Sequence, residues 1–395
     1  MEVFVCVKAS QIGHVFVFDR DADFATPLLT QLTYEGALDE HFGIRAGVVE
    51  FPPEVTGAAE GAEGAHPAKV ALNSRDTVFE SIRNRHFAGV ANHLLRKARE
   101  LQERRSTTAS MTPAQMKSFV SKDLRGLQAI QRSLSLHISA CEGITKGTRR
   151  DFEDQLVTEH GLVTGGVGVG EAKAYIEDCM ARQLPSRVPL RLLCLLSITQ
   201  QGLSRKDYEP LATQFFSAYG HHHLLTLFRL RRMGLLLLLG GDSPDEGGKP
   251  LLKQVASSLG VSRKAGHWAA LVSKLSLIPA AEDHIDLHNP SHMSYVFNGA
   301  FTPLIPQLVS EALTKGFGSL SEALKMVPGT SFASIRPEGA NTPLPRVALV
   351  LILGGVTYAE VAALRLLADT LGTKIIVAST CTTTGTSLVR AATQP

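Results

Sequence analysis

Three aspartates spaced two apart, Asp19, Asp21 and Asp23, follow the apolar run Val15–Phe18 and precede a helix start at Thr26-Pro27. Carboxylates in that pattern suggest a cation loop, a phosphate-attacking strand end, or a turn. A calcium loop would use them as positions 1, 3 and 5. It also needs Gly at position 6 and Glu at position 12, where Phe24 and Thr30 stand, so the calcium reading fails.

The phosphate reading goes further. A strand-end Asp that attacks phosphate, with a second Asp two residues on as acid/base, is the arrangement of haloacid-dehalogenase-like phosphotransferases. "VFVFDRDAD" resembles it up to the fifth position, where Asp23 replaces Thr or Val. Ser379 or Thr380 after a strand imitates that family's second motif. Its acidic pair for magnesium has no counterpart, because the other strand ends in Gly354-Gly355. Phosphotransfer by Asp19 and Asp21 is therefore the alternative. The favoured expectation is a turn in which Asp19 and Asp21 accept backbone amides and Arg20 pairs locally.

Other candidate chemistry fails on spacing. "GGVGVGEA" has Glu171 at the sixth position of a dinucleotide loop, and it follows a helix rather than a strand. "LGGVTYAEV" places glycines between strand and helix without the Lys of a P-loop. His221–His223 are successive, about 100° apart on a helix, and cannot all face one ion; they read as surface or interface residues. The expectation is no catalytic residue, no cofactor and no metal.

The elements that position these residues alternate at the two ends of the chain. Val15–Phe18 reads as a strand buried on both faces. A helix is expected from Thr26 to about His41, with Leu28, Leu29, Leu32 and Leu38 inward. Near the other end, "VALVLILGG" is a strand and "VTYAEVAALRLLADTLG" a helix with a Thr357/Glu360 capping box and a Gly372 stop. "TKIIVAST" is a second strand and "GTSLVRAA" opens a last helix. This predicts an α/β fold with a large α-helical insertion, its parallel sheet formed from both chain ends. The expected division is 1–50 and 291–395 for the α/β domain, 51–75 as a loop, and 76–290 as the helical insertion. That insertion would hold a hairpin at about 111–160 and a bundle at 171–275.

Within the insertion, Met116, Val120, Leu124, Leu127, Leu134, Ile138 and Cys141 form one narrow apolar seam near heptad spacing. Residues 96–150 hold twelve Lys and Arg against four Asp and Glu, while the whole chain carries a net charge of only +3. A basic helical projection suits an acidic partner or anionic lipid. The near-neutral balance excludes a dedicated nucleic-acid binder. Five scattered cysteines without a CxxC pair exclude a zinc ribbon or disulfide scaffold. No apolar run approaches the roughly 20 residues needed to cross a bilayer. With no signal peptide visible, the expectation is a soluble cytosolic protein able to sit on membranes peripherally.

The order of the pieces resembles the SM (Sec/Munc) family of membrane-fusion regulators, in its class C vacuolar-sorting branch. The residues that carry the resemblance are "FDRDADFATPLLTQLTYEGALDEHFGI" (18–44), "DTVFESIRNRHFAGV" (76–90), "MKSFVSKDLRGL" (116–127), "SLHISACEGI" (135–144), "RLLCLLSITQQGLSRKDY" (191–208) and "LVLILGGVTYAEVAALRLLA" (349–368). The resemblance implies a non-enzymatic scaffold that binds SNARE helices and a class C tethering subunit, peripheral to late endosomal and lysosomal membranes. The hairpin at about 111–160, with Met116, Val120, Leu124 and Leu127, would face the SNARE. "FFSAYGHHHLL" (215–225) would meet the tethering subunit through His221 and Leu224. Ala212 stands where a relative has a charged contact. The match corresponds to roughly the last two-thirds of the family, without its N-terminal domain and first strands. "MEVFVCVKASQIG" is expected to resemble nothing in it.

Overall fold

The computed structural model describes residues 11–56, 66–106, 124–148, 150–239, 268–280, 285–329, 331 and 345–393. In chain order the strands are β1 (His14–Asp19), β2 (Ile44–Arg45), β3 (Val48–Phe51), β4 (Ala68–Ala71), β5 (Val347–Leu353) and β6 (Lys374–Ser379). The helices begin with α1 (Ala25–Leu28), α2 (Tyr34–His41), α3 (Pro53–Thr56), α4 (Thr77–Ile82), α5 (Phe87–Ser106), α6 (Leu124–Gly147), α7 (Phe152–Thr164) and α8 (Val169–Ala181). They continue with α9 (Arg187–Thr199), α10 (Arg205–Tyr219), α11 (Leu224–Arg232), α12 (Trp268–Lys274), α13 (Leu304–Lys315), α14 (Ser321–Met326), α15 (Tyr358–Leu371) and α16 (Gly385–Thr393).

Packing divides the chain into two units. The described parts of Met1–Thr30, Asp154–His284 and Ser291–Pro395 form one, and those of Gln31–Glu153 and Ile285–Pro290 the other. The divisions fall after Thr30, after Glu153 and on either side of Ile285–Pro290. The reason is local: just past Thr30, the Tyr34 amide donates to the Arg85 carbonyl and the Phe87 amide to the Leu32 carbonyl. These bonds join α2 to the segment entering α5.

In the first unit, β1 pairs in parallel with β5, and β5 with β6, in the order β1-β5-β6. The sheet is therefore closed by both ends of the chain, as expected. Phe16, Ala348, Val350 and Ile352 are buried on one face. The other face differs from expectation: Val15 and Val17 stand 56% and 60% exposed, with Leu353 and Ile376 also exposed. A continuous apolar run does not report which face a strand buries; only its neighbours decide that. α15 carries the predicted capping box, Thr357 with Glu360, and ends on Gly372 in the left-handed conformation (φ 59°).

The helix expected from Thr26 to His41 is two helices. Leu29 caps α1 in an extended conformation and Thr33 caps α2, its hydroxyl accepting from the Gly36 amide. A buried knot holds the break open. Glu159 accepts from the Thr30 amide at 2.7 Å, the Thr30 hydroxyl at 3.0 Å and Gln155 at 2.6 Å, and Arg191 donates to the Leu28 carbonyl at 3.0 Å. The carboxylate takes the donors a continuing helix would have used.

In the second unit, β2, β3 and β4 form an antiparallel sheet. This replaces part of the loop expected at 51–75; strands of two to four residues are too short for a period to show. α6 packs mainly on α2, α3, α4 and α5. His137, wholly buried on α6, accepts from or donates to the Tyr34 hydroxyl at 2.7 Å and stacks on Phe79. Its other ring nitrogen meets Asp76 at 3.4 Å, and Ser133 donates to the same carboxylate at 2.6 Å. Burial alone would push the Asp76 carboxyl up. The bonds from His137, Ser133 and the Phe79 amide outweigh it and hold the carboxyl well below the usual range.

Candidate partner-binding site

The aspartates hold a corner. Asp19 caps a short 3-10 turn, its carboxylate accepting from the Asp21 amide at 2.9 Å. Asp23 is buried and accepts from the Thr26 amide at 3.0 Å and the Thr26 hydroxyl at 2.5 Å. Arg20 does not confine itself to a local pair. Its buried guanidinium meets both oxygens of Glu360, on α15, at 2.9 Å and also donates to the Asp23 carbonyl at 2.8 Å. Burial lowers the Arg20 pKa, but the charges of Glu360 and Asp23 more than reverse it, so the net shift is upward. The cavity of about 80 Å³ beside Asp21 and Asp23 is lined by apolar side chains such as Phe24, Trp268, Leu271 and Leu304, and among the described residues no cation lines it.

The histidine segment instead opens a groove. Ser204 starts α10, its hydroxyl accepting from the Asp207 amide. Leu211 and Phe215 turn inward, and Tyr208, Glu209, Ala212, Thr213 and Phe216 line the groove side at helical spacing. Gly220 ends the helix at φ 96°, where a Cβ would lie 2.9 Å from the His222 ring, so the sharp turn requires glycine. His221–His223 form a 3-10 turn and α11 follows. Five of its nine residues are apolar. Leu227 and Leu230 supply the buried face, while Leu224, Leu225 and Phe228 stand 61%, 59% and 40% exposed.

The two helices enclose an open groove of about 660 Å³, lined by Ala212, Phe216, Leu224, Leu225 and Phe228 with Arg231 and Glu209 at its polar margin. The predicted residues His221 and Leu224 come together here: Leu224 lines the groove and His221 stacks on Phe216, ring centres 6.0 Å apart. Burial and the neighbouring His222 hold the His223 imidazole below its ordinary pKa. Glu209 pairs with Arg205 at 2.7 Å, and Asp207 with Lys173 at 2.8 Å. Sequence reasoning missed Leu225, Phe228 and Arg231. The available signal was a short helix with more apolar residues than one buried face can use.

Of the other predicted contacts, Leu124 and Leu127 lie in the second unit. Met116 and Val120 fall outside the described residues. Leu124 opens α6, and Leu127 is half-buried. Below them the seam turns inward: Leu134, His137, Ala140 and Ile144 are buried, and Ile138 and Cys141 half-buried. That is the 3.6-residue face of a packed helix rather than a free heptad seam.

A parallel α/β body whose strands come from both chain ends, interrupted by a long helical insertion, defines the class of protein. A model of the Sec1 family matches residues 4–391, and the chain belongs to that family. Sec1/SM members are non-enzymatic scaffold regulators of membrane fusion. The match takes in most of "MEVFVCVKASQIG", which the sequence reading had set apart. Among curated relatives, vacuolar protein sorting-associated protein 33B of Danio rerio is 40% identical over 400 residues, covering 97% of this chain and 64% of the relative. The Mus musculus protein of that name is 38% identical over 398 residues (97% and 63%), and vacuolar protein sorting-associated protein 33A of Rattus norvegicus 32% over 397 residues (96% and 61%). The chain thus spans just under two thirds of these relatives. Two solved structures share the fold. The Unc18–syntaxin 1 complex from Monosiga brevicollis has a TM-score of 0.63 at 16% identity, covering 98% of this chain and 62% of that one. The SM protein Vps45 in complex with the Qa SNARE Tlg2 has 0.60 at 18% identity, covering 96% and 60%.

Proposed function

We propose that this chain is an SM-type scaffold that binds SNARE helices and a class C tethering subunit, and so promotes vesicle docking and fusion in endosome-to-lysosome traffic. Family membership and relatives named for vacuolar protein sorting support the reading. So do SM-protein neighbours solved in complex with SNAREs. Among the described residues no helix is long and apolar enough to cross a membrane, which accords with peripheral attachment to late endosomal and lysosomal membranes. The SNARE-facing element would be the helical arm that includes α6, with Met116, Val120, Leu124 and Leu127 as contacts.

The observation that carries the reading is the groove. Three large apolar side chains, Leu224, Leu225 and Phe228, stand exposed on one face of one helix. Fully burying each is worth on the order of 1.5–3 kcal/mol before the costs of association. A patch of this kind, rimmed by polar groups, marks a protein-contact site. The test is co-purification with a class C tethering subunit. The native chain retains it, and Leu224→Asp and Phe228→Asp lose it with unchanged thermal unfolding. Retention by both variants would remove the groove from the tethering interface.

A further inference from the structure

Away from the groove, exposed apolar side chains gather on one face of the parallel sheet. Val15, Val17, Leu353 and Ile376 all stand there. Val15 is paired with Leu349, Val17 with Leu351 and Asp19 with Leu353, while Leu349 is paired in turn with Ile376. β1 is the margin of this sheet, and among the described residues no strand pairs with its outer side. Alternate amides and carbonyls of β1 point away from β5 and can receive another strand.

Sheet edges are ordinarily blunted by Lys, Pro, a bulge or a covering segment. β1 reads HVFVFD, with no Lys and no Pro, and it pairs with β5 residue for residue without a bulge. The remaining device is a covering segment, and the chain has one close by. Residues 1–10 lie outside the described residues, and they include Val3, Phe4, Val5, Cys6 and Val7, an uncharged run that is β-branched or aromatic at four of five positions. Six residues, 8–13, separate that run from His14. Such a length closes a hairpin. It is too short for the crossover of a dozen or more residues that a parallel neighbour requires.

A second copy of the chain is the rival occupant, and size decides against it. A strand of six residues is only about 20 Å long. Pairing two such edges buries far less than the roughly 1,200 Å² of a stable interface. A segment tethered six residues away meets the edge at an effective concentration in the millimolar range. It also loses no translational freedom on pairing.

We propose that residues 3–7 add to the outer edge of β1 as an antiparallel strand. They make the sheet of the first unit four-stranded, give Val15 and Val17 cross-strand neighbours, and guard the edge against pairing between copies. This added strand is independent of the groove and of what docks there.

Hydrogen exchange on the full chain, resolved by peptide, tests it. In the parent chain, residues 3–7 should exchange clearly more slowly than a free peptide of the same sequence. Phe4→Pro together with Val5→Pro removes one inward amide in either register. In that variant residues 3–7 should exchange like the free peptide. The outward amides of His14–Asp19 should exchange about five- to tenfold faster, as expected when each loses one hydrogen bond. The β5 and β6 peptides should keep the parent rate. Free-peptide exchange of residues 3–7 in the parent overturns the added strand, and that measurement stands whether or not the variant folds. Unchanged exchange of β1 in a folded variant overturns it too. So does parent-chain self-association with β1 protection lost on dilution, which would make a second copy the occupant.

Discussion

At the scale of single residues, the decisive pair is Arg20 and Glu360. Each is almost wholly inaccessible, and together they tie the corner after β1 to the capping box of α15. Removing one member strands the other charge in a dry site. Arg20→Met is expected to cost about 3–5 kcal/mol in urea unfolding. Asp21→Asn, on an exposed residue, should fall within about 0.5 kcal/mol of the parent chain. Asp39 gives a pH signature. Burial pushes its carboxyl up to about 7 although the Ile44 amide donates to it. A folded-state pKa above the unfolded value of about 3.9 means the folded form holds the proton longer, so stability is full below pH ~4 and falls as pH rises towards 7. Asp39→Asn keeps an acceptor for Ile44 without the charge. Its thermal midpoint should exceed the parent's at pH 8 and converge on it at pH 4; a constant offset would show that Asp39 does not titrate in this range.

At the scale of elements, α6 is two things in one helix. Its lower part is packed through Leu134, His137, Ala140 and Ile144, while Leu127 is only half-buried. Leu134→Ala should destabilise by about 2–4 kcal/mol through the cavity it leaves, and Leu127→Ala much less. Hydrogen exchange would show the first raising exchange throughout α4 and α6 and the second leaving it unchanged. The seam was legible in the sequence as a run of apolar residues at helical spacing. Its division into a packed part and a freer part was not, because that depends on where α4 and α5 end against it. The same holds for β1. Its strand character was legible in Val15–Phe18, but the 60% exposure of Val17 follows from which faces its neighbours cover. Val17→Lys should be nearly neutral, whereas Val350→Lys, at 0% exposure in the central strand, should prevent folding of the first unit.

At the scale of the whole molecule, β1 takes its strand partner from the far end of the chain: β5 pairs with it along its full length, from His14 with Ala348 to Asp19 with Leu353. Deleting residues from 345 onward should leave β1 without that partner and abolish cooperative unfolding of the first unit.

The sequence by itself determined the local events: the strands of the parallel sheet, the Thr357/Glu360 box, the Gly372 stop, the turn at the aspartates and the order of motifs that marks the family. Each rests on residues within a few positions of one another, so local geometry suffices. Only tertiary structure decided that Arg20 finds Glu360, that Glu159 breaks a helix at Thr30, and that Leu225, Phe228 and Arg231 join Leu224 around one groove. Those outcomes depend on surfaces brought together from distant parts of the chain, and neither propensity nor periodicity encodes which face of an element will remain in water.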